Sequence, residues 1–303
     1  MSPTYKELLE QVGAQIKARK NALLKRTLLI TWPFIAMAVI GYLLNKFIDF
    51  RGLPYSSQLL LLWVGALIIL SGVVYSVIVT FIFEIEKRIW IDSYFDQKNL
   101  SLSQSWRIAK KLFWPAAIFR LKVIFYYYLL PIVVLAVTTT LVIFGLYDVI
   151  PNVDIVMLVV FLGVLIAIAI YSYYLKVKLR YLWFIFLDSY GQDYSHTFLT
   201  TEMKKLNNIS KTDTFKKSLI ANLGTDSLSG LSRMAIGTIS KGMSVFGGEA
   251  GKLLGGITEI YGKELARQAT DFGNISAQYI LYRFARKELY GEEQSVNDSI
   301  YLI

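Results

Sequence analysis

Three groups of residues have types and spacing that could do chemistry. Gly247-Gly248-Glu249-Ala250-Gly251-Lys252-Leu253 comes near a phosphate-cradling loop. Such a loop needs a glycine at its first position and Ser or Thr after its lysine. Here Phe246 and Leu253 stand at those places, and no apolar strand precedes them, so nucleotide binding is not expected. His196, the sole histidine, has Asp188 and Asp193 nearby, the ingredients of a general base oriented by a carboxylate. A lone capping or exposed histidine has the same surroundings. Asp92 and Asp96 are four apart on one helical face and could share a cation. Arg88 on that same face points instead to a salt-bridged surface. Cysteine is absent, which removes disulfides, thiolate ligands and cysteine nucleophiles. A single histidine excludes His-rich zinc or haem sites. The expectation is a protein that is not an enzyme and carries no cofactor or metal.

The elements that would hold such residues follow from composition. Of 303 residues, 55% are apolar and 18% charged, against about 45–50% and 25% in soluble domains. Four uncharged runs hold the excess: Thr27–Asn45, Gln58–Phe83, Val123–Tyr147 and Ile155–Leu175. A helix of about 20 apolar residues crosses a hydrocarbon core of about 30 Å. The fold expected is all-α, an integral membrane protein with four transmembrane helices, interfacial amphipathic helices and a helical cytoplasmic C-terminal tail. The first run lacks a signal-peptide cleavage pattern and reads as a retained anchor.

Thirty of the 32 Lys and Arg fall on one side of these spans; only Lys46 and Arg51 fall on the other. The positive-inside bias predicts that both termini lie in the cytoplasm, at a plasma or inner membrane. Tyr126–Tyr128 and Tyr171, Tyr173 and Tyr174 fit an inner aromatic belt. Pro131 should kink the third span. Thr138, Thr139 and Thr140 after it should bond to preceding carbonyls or a neighbouring helix. Sequons at Asn99, Asn208 and Asn274 fall on cytoplasmic segments and should go unused.

Four parts result: a basic amphipathic N-terminal helix at 1–26, a four-span membrane domain at 27–200, a helical tail at 201–290 and a flexible C-terminus at 291–303. Within the second part, Ser103 is expected to cap a helix reaching about Phe119, with Pro115 interrupting its later part. Trp106, Arg107, Lys110, Lys111 and Trp114 on it have the make-up of a helix lying among headgroups. Packing on the protein's own cytoplasmic domain is the alternative.

In the tail, Lys241, Lys252 and Lys263 are eleven apart, as are Phe246 and Ile257. Eleven residues in three turns keep a stripe on one side of a nearly straight helix. The pattern resembles the eleven-residue repeats of synuclein-like and perilipin-like lipid-binding helices. Eight glycines between Gly237 and Gly262 weaken such a helix by roughly 1 kcal/mol each against alanine. Folding on a surface, tight packing against another helix and a flexible tail are all open. Gly247, Gly251 and Gly255 have the spacing that lets backbones approach.

The halves of the chain also match thinly at an offset of 92, pairing Arg88 with Arg180, Asp96 with Asp188 and Ser103 with Ser195. The run Lys87-Arg88-Ile89-Trp90-Ile91-Asp92, followed by Leu102-Ser103-Gln104-Ser105-Trp106-Arg107-Ile108-Ala109-Lys110-Lys111 and a new span, resembles a group of prokaryotic membrane proteins. These are similar to the membrane domain of some glycerophosphodiester phosphodiesterases. The likeness covers roughly residues 75–200. The second copy, Arg180 to Asp188 then Tyr194 to Phe198, lacks the Trp-Arg pair, and the catalytic barrel is absent, so no activity carries over.

The function expected is organisation of lipid or partner proteins at the cytoplasmic leaflet. The partners are the phospholipid bilayer, anionic lipids above all, with a homo-oligomer or membrane-protein partner open and no nucleic acid. An oligomeric channel or transporter with a polar stripe at Ser71, Tyr75, Ser76, Thr138 and Ser172 is the second class. A lipid-modifying enzyme using Asp92, Asp96, Asp188 or His196 is the third.

Overall fold

The described residues of each uncharged run are helical, and the helices overshoot the first, second and fourth runs. The computed structural model describes residues 2–47, 52, 54–144, 153–190 and 196–291. Helix α1 (Tyr5–Phe47) carries the basic N-terminal segment and the first run without a break. Helix α2 (Tyr55–Phe95) carries the second run and continues for twelve residues past its end. Nothing between Tyr5 and Phe47 stops a helix except Pro33, which stays inside it. No helix boundary therefore falls at 26, where the amphipathic segment was expected to end. The two helices approach closely at Gly72, where a Cβ would lie 3.0 Å from Met37 Cε and 3.4 Å from Pro33 Cβ.

A capping box starts α3 (Leu102–Lys111): Ser101 Oγ accepts from Gln104 N, and Gln104 Oε1 accepts from Ser101 N. The cap is thus Ser101 rather than Ser103, because only Ser101 has a Gln three residues on. The chain turns at Leu112 and restarts as α4 (Phe113–Val123). Pro115 therefore sits in a first turn, where its missing N–H costs nothing, and does not interrupt a longer helix. A π-helical turn, Ile124–Tyr128, leads into α5 (Leu129–Phe144). The π turn and Pro131 account for the 61° bend between Phe113–Tyr128 and Pro131–Thr140. Thr138 and Thr140 donate to the carbonyls of Val134 and Ala136. Helices α6 (Val153–Lys178) and α7 (Leu182–Asp188) follow.

Three helical stretches are long and apolar enough to cross a membrane: Tyr5–Phe47, Tyr55–Phe95 and Phe161–Asp188. The bent pair meets the same test only when taken as one unit. The apolar helices pair as α1 with α2 and α5 with α6; among the described residues the two pairs hardly touch. Residues 145–152, the loop around Pro151, and residues 292–303, including most of the expected flexible C-terminus, lie outside the described residues.

The rest of the chain folds back on the charged end of the spans. It forms α8 (His196–Asn208), α9 (Lys211–Phe246) and α10 (Gly248–Tyr290). The eleven-residue stripe requires one straight helix through Lys241 and Lys263. The chain instead reverses at Gly247–Gly248, with Gly248 at φ +59°, a value few residues other than glycine adopt. Helices α9 and α10 then run antiparallel. Ser218 Oγ donates to Gln278 Oε1 at 2.9 Å, Asn274 Nδ2 to Asn222 Oδ1 at 2.8 Å, and Ser240 Oγ to the Gly255 carbonyl at 2.8 Å. The glycines permit this contact. A Cβ on Gly251 would lie 2.3 Å from the Met243 carbonyl oxygen, and one on Gly255 would lie 2.7 Å from that of Ser240. Tight helix packing is thus the use made of the small-residue spacing, and the lysine repeat is split over two helices.

Helix α10 also runs antiparallel to the first half of α1. Tyr261 donates to the Leu24 carbonyl at 3.2 Å, Gly273 faces Val12 and Ile16, and Ala277 and Ile280 bury Leu8. The main core lies here, at the charged end, around Phe83, Trp90, Tyr181, Phe186 and Phe272. The outer part of α2 leaves Leu60, Trp63, Leu67 and Leu70 mostly exposed.

The two kinds of glycine should respond oppositely. Gly251→Val has backbone in its way and should lower the melting temperature of the detergent-purified chain by many degrees. Gly256→Ala meets open space and should add about 0.5–1 kcal/mol through lower unfolded-state entropy. Equal melting temperatures for the two variants would contradict the hairpin geometry.

Candidate interfacial site

Helix α2 leaves its apolar run with four charges in five residues: Glu84, Glu86, Lys87 and Arg88. Successive residues turn by about 100°, so such a group points all round the helix. Each charge meets a different element. Arg120 of α4 donates to Glu84 Oε2 at 3.0 Å. Glu86 is fully buried and held bidentately by Arg26 of α1, with Nε and Nη2 each at 2.8 Å. Ser105 of α3 donates to Glu86 Oε1 at 2.7 Å and accepts from Trp90 Nε1 at 2.9 Å. Arg26 also donates to the Leu102 carbonyl and lies 4.2 Å from the Trp106 ring centroid. Lys87 is fully buried; its Nζ donates to Gln268 Oε1 of α10 at 2.7 Å, with Asp271 4.0 Å away. Arg88 Nη1 donates to the Glu84 carbonyl, and its guanidinium lies over Trp183 of α7 at 4.7 Å.

One face of α10 collects the carboxylates. Tyr279 donates to Asp92, Arg283 to Asp96 at 3.3 Å, and Tyr282 and Arg286 both donate to Asp188. These four residues recur at steps of three and four, as one helical face requires. Burial, together with the adjacent carboxylates Asp92 and Asp188, holds the Tyr279 and Tyr282 phenols well above their ordinary range. Both therefore remain neutral donors. The expectation of an exposed Asp92–Asp96 surface is corrected: Asp92 is buried and Asp96 nearly so. Asp96 pairs with Arg283 of α10, 187 residues along the chain, and with Lys98 at 3.9 Å, and Arg88 supplies neither contact. Among the described residues, no group of three His, Asp or Glu is placed to hold a metal. Asp193 and the side chain of His196 lie outside the described residues.

The surface residues singled out in the sequence divide. Arg107, Lys110, Lys111 and Trp114 are exposed on α3 and α4. Trp106 is half-buried, its ring taken by Arg26 and flanked by Lys110. Lys241, Lys252 and Phe246 face outward near the hairpin tip, with Phe246 91% exposed. Lys263 is tied to Glu259 one turn away, and Ile257 is half-buried on the inner side. Leu228, Leu231, Met234 and Ile239 extend the exposed apolar face along α9. In the expected polar stripe, Ser71, Ser76 and Thr138 spend their hydroxyls on the carbonyls of Ile68, Ile30 and Val134.

Two cavities flank the charged turn, and Glu84, Arg120 and Ile124 line both. One of about 1040 Å³ lies between the first span pair and the hairpin, from Phe34 and Val77 to Arg233 and Lys263. The other, about 560 Å³, lies between α2, the start of the bent span and the α6–α7 junction. The sequence shows Arg26 and Lys87 only as topology charges, and it gives no role to Glu86 or the α10 face. The signal available was three consecutive charges continuing a helix out of an apolar run. They cannot all reach water if anything packs on that helix.

Removing one partner of a buried pair leaves the other charge stranded. Glu86→Leu should therefore cost about 3–5 kcal/mol, and adding Arg26→Met should recover most of it. Denaturant unfolding followed by tryptophan fluorescence measures both; a neutral Glu86→Leu would show that the pair does not organise this region. No family model, curated protein or solved structure matches the chain.

Proposed function

We propose that this chain is a non-catalytic integral membrane protein of a prokaryotic plasma membrane, organising lipid or partner proteins at the cytoplasmic leaflet. In this reading it has four spans, the bent pair being the third, with both termini in the cytoplasm. The observation that carries it is the exposed apolar face of α9, from Leu228 to Phe246, beside the charged end of the spans. Large exposed apolar patches mark contact with a membrane or a partner. Lys241 and Lys252 flank the hairpin tip, and Arg107, Lys110 and Lys111 are exposed on α3. Each such cation gains about 1 kcal/mol near an anionic leaflet.

The hairpin lies at the right height. Tyr261 meets Leu24, just before the first apolar run, and the larger cavity brings Ile260 and Lys263 against Ile30 and Phe34 within that run. A transport reading draws less support, since three hydroxyls of its stripe are bonded within or between helices. The likeness to phosphodiesterase membrane domains fits the non-catalytic reading and adds no activity.

The absence of cysteine makes single-cysteine labelling clean. Phe246→Cys, carrying an environment-sensitive fluorophore in the full chain, should shift to the blue in anionic liposomes and be quenched by nitroxide lipids. Water-like emission in both anionic and neutral liposomes would overturn the membrane contact. An impermeant maleimide on intact cells should label Gly52→Cys and spare Ser227→Cys; the reverse pattern would overturn the orientation.

A further inference from the structure

The smaller cavity holds positive charge that the protein does not balance. Arg88, Arg120, Lys176 and Arg180 line it, against Glu84 alone among the acids. Two of the four cations are compensated: Arg120 by Glu84 at 3.0 Å, and Lys176 by Asp226 at 3.1 Å. The other two are not. Arg180 is 8% exposed; its Nη atoms donate to the Val177 carbonyl and Thr214 Oγ1, its guanidinium lies 4.6 Å from the Tyr181 ring centroid, and its Nε has no acceptor. Arg88 spends Nη1 on a carbonyl of its own helix, and its buried Nε likewise has no acceptor. Neither guanidinium takes part in an ion pair among the described residues. A buried charge without a counter-charge is expensive, and the protein has spent carboxylates on its other buried cations.

The opposite wall is apolar: Val123, Ile124 and Ile132 rise from the cavity along the bent span. That wall faces the space between two span pairs that hardly touch. The volume, about 560 Å³, falls in the range of small-molecule sites, about 300–1,000 Å³. A charged floor under an apolar wall selects a ligand that is anionic at one end and apolar at the other. Guanidinium forks match phosphate oxygens in geometry and charge. We propose that this cavity binds a phosphate-bearing anion on Arg88 and Arg180, supplied by the headgroup of an anionic phospholipid whose chains follow the α4–α5 wall. The two arginines are those paired by the internal offset of 92, one from each half of the chain. The proposal deepens the inner-leaflet reading by giving it a lipid class and a site. It relies on that reading only for the supply of lipid.

The test uses the purified full chain in maltoside detergent, with its melting temperature read against added short-chain lipid. Dihexanoyl phosphatidylglycerol should raise the melting temperature; dihexanoyl phosphatidylcholine should not. In Arg88→Gln/Arg180→Gln the apparent affinity should fall roughly tenfold or more, the scale of losing charge-assisted hydrogen bonds. Lys241→Gln/Lys252→Gln, altered only at the hairpin tip, should respond as wild type does. Inorganic phosphate as effective as phosphatidylglycerol would keep the anion site and overturn the lipid as its source. Equal responses to the two lipids, or an undiminished response in the arginine double variant, would overturn the site. If that variant does not fold, benzoylphenylalanine placed at Ile132 in the otherwise wild-type chain decides. It should crosslink radiolabelled phosphatidylglycerol in preference to phosphatidylcholine, and equal yields would overturn the proposal. The Phe246 probe reports separately, so a failed hairpin contact and a failed headgroup site are distinguishable.

Discussion

The constraint on which the charged end of this molecule depends is the turn Glu84–Arg88. A helix that has just left an apolar run carries four charges aimed in all directions, and helices pack on every side of it. Taking an ion out of water costs several kcal/mol unless a partner receives it. Each packing helix therefore has to bring the right group: Arg26 from α1, Ser105 from α3, Arg120 from α4, Trp183 from α7 and Gln268 from α10. Apolar burial alone would let these helices slide or rotate with little change in energy. The bidentate Arg26–Glu86 pair and the amide on Lys87 make one register much better than its neighbours. They contribute specificity more than net stability, since the cost of desolvation offsets much of their attraction.

The same accounting explains what could be read from the sequence and what could not. Uncharged runs are legible because run length maps directly onto hydrocarbon thickness, through a fixed rise per residue. The bend near Pro131 is legible because proline removes a specific hydrogen bond. The capping box at Ser101 was available, since Gln104 follows it by three while Trp106 follows Ser103. Other features depend on which surface meets which. A stripe of apolar and small residues looks the same whether it faces lipid or an antiparallel helix. Only the reversal at Gly247–Gly248 and the contact of Gly251 with the Met243 carbonyl separate the two. Asp92 and Asp96 have the spacing of a surface pair because α10, which buries them, lies about 190 residues away in sequence.

The division of the ten candidate surface residues has the same origin. Arg107, Lys110, Lys111, Lys241, Lys252, Phe246 and Trp114 keep to the outside. Trp106 has the composition of an interfacial anchor, yet its ring carries the flat face of Arg26. A tryptophan beside a cluster of basic residues suits a headgroup plane or a buried guanidinium equally well, since both offer a cation to a π face. Local sequence does not distinguish an intramolecular cation from a solvated one.

Helix α10 has a further structural consequence. Among the described residues the α1–α2 and α5–α6 pairs hardly touch each other, so contacts outside the apolar region set much of their spacing. One face of α10 reaches both: Tyr279 and Arg283 bind Asp92 and Asp96 at the end of the first pair, and Tyr282 and Arg286 bind Asp188 just beyond the second. The paired aspartates Asp96 and Asp188 occupy matching places in the two halves, so α10 works as a strut between equivalent ends. Arg88 and Arg180 each lie eight residues, about two turns, before Asp96 and Asp188 respectively, at the cavity between the pairs. The spacing that α10 imposes on the carboxylates is thereby passed up both helices to the arginines. Through α10 the hairpin binds the ends of α2 and α7, and through α9 it binds α6 directly, by Asp226 to Tyr173 and Lys176. Helix α9 also reaches the cavity itself, through Asn222 in its lining and Thr214 on Arg180.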